Sequence, residues 1–203
     1  TKPVRDGLRW TTPIRSLPVD KLLPLFLDGI RETAEPARFI AIQGSEDLLY
    51  AATKAQLLDA AFECAKPIKD ALHTREPVTV TVALTMMRRM IKKDPLVVAE
   101  FVQFIPQFAA PLALFRGTGL EVYPGYDRNK VVRMQDVMDS VLEALSLHGG
   151  PEADKLLRVH LPDWRCVNGP EAPNLLNSKA VAQKRLAKEL TCWSVPNHAV
   201  HKC

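Results

Sequence analysis

Residues 78–95 read VTVTVALTMMRRMIKKDP, and the fold turns on whether this stretch is a strand or a helix. Val78 to Val82 alternates apolar and polar positions with β-branched side chains, the mark of a strand. A helical wheel tells a different story. Met86, Met90, Ala83, Met87, Val80, Ile91 and Leu84 fall in one arc, and Arg88, Thr81, Lys92, Thr85, Arg89 and Lys93 take the opposite one. Val78, Val82 and Thr79 are the misfits. Threonine and valine cost a helix only tenths of a kcal/mol each, up to roughly 0.7, and a lone short strand finds no partner elsewhere in the chain. The spacing therefore predicts one amphipathic helix, opened by Pro77 and closing on four cations.

Amphipathic patterns extend outward on both sides: DKLLPLFLDGIRET, ARFIAIQGSEDLLYAA and KAQLLDAAFECAKPIKDALHT before it, and LVVAEFVQFIPQFAAPLALF after it. A Gly/Pro/Tyr-rich loop, GTGLEVYPGYDRN, leads to MQDVMDSVLEALSLHGG, whose paired glycines suit a helix C-cap. PEADKLLRVH then places Pro151 near a first turn. Pro24, Pro67 and Pro111 lie 43 and 44 positions apart, and Pro36 and Pro77 lie 41 apart. These intervals match the roughly 40–47 residue period of HEAT and armadillo repeats. The expected fold is thus all-α, a HEAT/armadillo-like α-solenoid of helical hairpins over residues 20–165. Residues 1–19, with Pro3, Pro13 and Pro18 and no helical period, read as an extended N-terminal arm. Residues 166–203 read as an appended turn-rich tail with a basic helix, SKAVAQKRLAKELT, whose apolar stripe is Val181, Leu186 and Leu190.

The 203 residues are 47% hydrophobic, enough for a substantial core. A net charge of +4 suits an acidic partner surface. The basic runs carry no interleaved aromatics, so no nucleic-acid partner is expected. No apolar run is long enough to span a bilayer and the first residues lack signal-peptide features, so a soluble intracellular protein without a membrane partner is expected. Cys64, Cys166, Cys192 and Cys203 show no CxxC spacing and read as reduced thiols.

No nucleophile elbow, Walker loop, HExxH or dinucleotide fingerprint is present, and the GxG of GTGLEV reads as a cap and turn. His73 and His148 fall in last turns, where a cation complements the helix dipole. Cys192, His198, His201 and Cys203 are of zinc-ligand type, but their irregular spacing favours a polar terminus over a metal site. Met86, Met87 and Met90 read as core filler. The expectation is a chain that is not an enzyme, with no cofactor and no metal. Arg88, Arg89, Lys92 and Lys93 exceed what capping one helix requires and are candidate contacts for an acidic surface.

LPLFLDGI (23–30), FIAIQGSEDLL (39–49), PIKDAL (67–72) and VLEALSLHGG (141–150) together resemble the parkin co-regulated protein family of ciliary axonemes. Trp10 and the HLPDW segment sit where that family has an extended Trp-bearing arm and a closing segment, so the likeness spans about Leu8 to Cys166. The loop GTGLEVYPGYDRNK, the strongly basic RRMIKK and the tail after Cys166 depart from the family pattern. The resemblance implies a non-enzymatic α-solenoid that acts as a microtubule inner protein in cilia and flagella. Its place would be the inner junction of doublet microtubules, where such proteins help close the B-tubule onto the A-tubule. Implied partners are α/β-tubulin, a small β-sandwich inner-junction protein and other microtubule inner proteins. Candidate partner contacts are then Arg5, Arg9, Trp10 and Arg15 in the arm, Arg88, Arg89, Lys92 and Lys93, Arg128 and Lys130 in the loop, and Lys184 and Arg185 in the tail. The alternative is a soluble helical-repeat adaptor for a chaperone or transport cargo.

Overall fold

The computed structural model describes residues 8–123 and 131–165. They form α1 (Val19–Gly29), α2 (Ala37–Ala51), α3 (Lys54–His73), α4 (Pro77–Lys93), α5 (Val98–Val102), α6 (Ile105–Ala113) and α7 (Met134–His160). Single 3-10 turns occur at Ile14–Ser16 and Pro95–Val97. The loop expected after Phe115 carries a small antiparallel ladder instead, β1 (Glu121–Val122) on β2 (Val132–Arg133).

The decisive stretch is helical throughout. Pro77 occupies the first turn, where its missing N–H costs nothing, and the Glu76 side chain accepts from the free backbone N–H groups of Val78 and Thr79. Burial would raise the Glu76 pKa, but hydrogen bonds from Thr79 and Val78 and the charge of Arg38 outweigh it and hold the carboxyl below its ordinary value. The two-arc reading of this helix needs correction. Every residue from Thr79 to Met87 is buried, including Thr81 and Thr85 on the expected polar arc. The reason is position: α4 is enclosed by α2, α3 and α7. Thr81 and Thr85 are tolerated inside because their hydroxyls donate back to the carbonyls of Pro77 at 2.8 Å and Thr81 at 2.7 Å. Burial on all sides explains why the first turns read like a strand, since no water-facing arc breaks the β-branched run. Met86, Met87 and Met90 are core residues.

The helices lie in two rows. One holds α1, α3 and α5–α6 and the other α2, α4 and α7, with contacts within each row and between α1 and α2, α3 and α4, and α6 and α7. The spaced prolines follow these rows: Pro24, Pro67 and Pro111 lie inside α1, α3 and α6, while Pro36 and Pro77 stand at the starts of α2 and α4. Pro36 is the N-cap of α2 rather than its first helical residue. α3 starts on a capping box in which Thr53 and Gln56 satisfy each other's backbone N–H groups.

The expected helix over LVVAEFVQFIPQFAAPLALF is broken. The two halves, Pro95–Val102 and Ile105–Ala113, meet at 88°. Pro106 is the cause, because its ring excludes the carbonyl of Val102, where α5 stops. Among the described residues no single helix is long and apolar enough to cross a membrane, and this bent pair owes its apolarity to burial of Val98, Phe101, Ile105, Phe108 and Leu112. α7 turns at Gly150, whose φ of 68° separates the two helices expected there. Buried Ser146 donates to buried Asp154 across that break.

The arm is packed where it is described. Trp10, Ile14 and Leu17 lie against the core, and Pro18 leads directly into α1.

Candidate partner interface

The segment QGSEDLLY of α2, residues 43–50, is where the arm and the basic end of α4 both attach. Gly44 passes the ring of Phe26 so closely that a Cβ would come within 2.5 Å of its Cε1. Trp10 packs on the same ring, with centroids 5.7 Å apart. Its indole N–H donates to Asp47 Oδ2 at 3.0 Å, and Gln43 Nε2 steadies the other carboxylate oxygen at 2.9 Å. Ser45, Leu48 and Leu49 are buried. The motif that carried the family resemblance is therefore the joint between arm, α1 and α2.

On the α4 side, Arg89 pairs with Glu46 at 3.1 Å. Lys93 Nζ donates to the carbonyls of Leu49 at 2.6 Å and Tyr50 at 2.9 Å. These belong to the last turn of α2, which lacks intrahelical donors. Burial lowers the Lys93 pKa. Arg89 and Lys93 are thus engaged inside the fold. Lys92 is exposed and Arg88 is half-buried. Arg9 and Arg15 are exposed on the arm, whereas Trp10 is half-buried and spends its N–H on Asp47. Arg5, Arg128, Lys130, Lys184 and Arg185 lie outside the described residues, as do Cys192, His198, His201 and Cys203.

Sequence reasoning missed the acceptors of these contacts. Asp47 had a signal, since it is the acid of the QG-x-x-DLL stretch, but its tryptophan lies 37 residues away. Tyr50, 83% exposed beside the carbonyl that Lys93 caps, had none.

Among the described residues no group of three or more His, Cys, Asp or Glu side chains could hold a metal. Cys64 is a free, buried thiol whose pKa is pushed up by burial and by Glu63, the opposite of thiolate activation. His73 Nε2 lies 3.1 Å from the Gln107 carbonyl oxygen and so ties α3 to α6. Among the described cations, Arg89 and Lys93 hold α4 to α2, and Arg9, Arg15 and Lys92 are exposed.

A family model described as Parkin co-regulated protein matches residues 2–166. The match takes in the arm, all seven helices and the Trp164 closing segment, and it leaves out the tail. With most of its length matched, the chain belongs to the parkin co-regulated protein family.

Proposed function

We propose that this chain is a structural microtubule inner protein of ciliary and flagellar axonemes. In this reading it sits at the inner junction of the doublet, binds α/β-tubulin and the small β-sandwich protein of that seam, and helps close the B-tubule onto the A-tubule. The observation that carries it is family membership over residues 2–166.

The architecture supports it. Two rows of helices, each helix touching its hairpin partner and its row neighbours, are what a HEAT/armadillo-like solenoid requires, and such arrays serve as stiff binding platforms. Exposed Arg9, Arg15 and Lys92 suit an acidic tubulin wall. The role is mechanical rather than catalytic: the body fills a seam, and the arm, held by Trp10, is a fixed part of the fitting surface.

Fractionation of axonemes tests the proposal. The protein should stay with doublets through detergent and high salt and leave only when the B-tubule opens. Recovery wholly in the detergent-soluble fraction, in a binary complex with a soluble client, would overturn it in favour of a helical-repeat adaptor.

A further inference from the structure

Leu58 and Phe62 stand one turn apart on α3 and are 37% and 48% exposed, although α3 is a central helix of its row. Phe62 is not loose. Its ring lies 5.8 Å from that of Phe104, which stacks on buried Phe108 at 6.0 Å, so an aromatic chain runs from the surface to the core. Asp59 and Glu63, each next in sequence to an exposed apolar residue, are themselves exposed and form no ion pair among the described residues. On the α5–α6 side, residues 101–115 carry no charge at all, and they expose Gln103, Gln107, Ala110, Ala113 and Leu114. Lys54 and Lys66 lie one turn beyond either end of the pair.

We infer that this face docks a helix from a second protein, with an apolar stripe seated on Leu58, Phe62 and Phe104 and lysines or arginines opposite Asp59 and Glu63. Charge decides the occupant. Asp59 and Glu63 are exposed carboxylates with no ion pair among the described residues, while Lys54 and Lys66 lie one turn outside the apolar pair, so cations opposite the middle of the face meet unpaired acids and an acidic helix is repelled there. A second copy of this chain fits poorly, because a two-fold contact centred on Leu58 and Phe62 brings Asp59 towards Glu63 of the other copy. The face is opposite in character to the cations proposed for the tubulin wall, so the inference stands or falls separately from the doublet assignment.

The test uses the full chain and two fluorescent amphipathic peptides of identical leucine period, one with lysine and one with glutamate on its polar face. Anisotropy should show the lysine peptide binding about tenfold more tightly, against the direction set by the net charge of +4. Asp59→Lys with Glu63→Lys should invert the preference, and Phe62→Ser should weaken the lysine peptide with the helical circular dichroism unchanged. Equal binding of the two peptides, or a preference that survives the double reversal, would overturn the inference. So would self-association of the chain that Phe62→Ser abolishes, since the occupant is then a second copy. Stronger peptide binding after Lys184→Glu with Arg185→Glu would also overturn it, by assigning the face to the chain's own tail.

Discussion

Gly44 of α2 lies flat against the ring of Phe26 on α1, with no room for a single methyl group between them. Trp10 holds that ring from the arm, so the ring cannot step aside without moving the indole. Gly44→Ala should therefore destabilise the chain even though alanine is the better helix former. Overpacking costs about 1–3 kcal/mol, and propensity returns at most about 1 kcal/mol. The midpoint of thermal unfolding should fall by about 2–4 °C per kcal/mol lost, and the near-ultraviolet signal of Trp10 should change with it.

Glu76 makes the start of α4 sensitive to acid. Its carboxyl titrates below the ordinary value of 4.5, so the stabilisation it supplies is complete above that value. It is lost as pH falls from there through the lower folded-state value. Glu76→Gln should cost about 0.5–1 kcal/mol near neutrality. Parallel melts of the two proteins from pH 7 to pH 3 should converge at the acid end, and a constant gap would contradict the capping role.

Thr81 separates a buried α4 from an amphipathic one. Thr81→Val should be tolerated within about 1 kcal/mol, because the Pro77 carbonyl keeps the helix's own N–H when it loses the hydroxyl. Thr81→Lys should cost about 3 kcal/mol or more, because it places an unpaired charge at a fully buried position. Urea titration of both variants distinguishes the two arrangements of this helix.

Lys93, Arg89 and Lys92 of α4 should divide by function. Lys93→Met leaves the Leu49 and Tyr50 carbonyls without their donor and should lower stability by about 1 kcal/mol. Arg89→Ala removes a half-exposed ion pair with Glu46 and should cost less than about 1 kcal/mol. Lys92→Glu should leave the unfolding midpoint unchanged yet loosen retention on salt-washed doublets. A Lys92 variant retained as well as the wild type would remove this residue from the proposed interface.

The helices could be read in the sequence wherever one face meets water. In α3 the apolar positions Leu57, Ala60, Ala61, Cys64, Ile68, Ala71 and Leu72 recur with a helical period, and all are buried. α4 obeyed the period only in its second half, where Arg88, Arg89 and Lys92 reach the surface. Its first half is enclosed, and composition there reflects burial rather than helix geometry. The break between α5 and α6 was signalled by Pro106 within an apolar run, and the pull of that run's hydrophobicity hid it. The interface was less legible. A lysine in a last turn suggests its own helix dipole, yet Lys93 serves the carbonyls of another helix, a pairing across 43 and 44 residues that no local pattern encodes.

Gly150 gives the C-terminal part of α7 the geometry of a lever. The ten residues from Pro151 to His160 extend about 15 Å at the helical rise, and their far end carries Trp164, whose ring the Arg116 guanidinium covers at 5.8 Å. A change of about 4° at one glycine would shift the far end by about 1 Å relative to Arg116. The Ser146–Asp154 contact across the fulcrum thus aligns a corner of the molecule that it never touches.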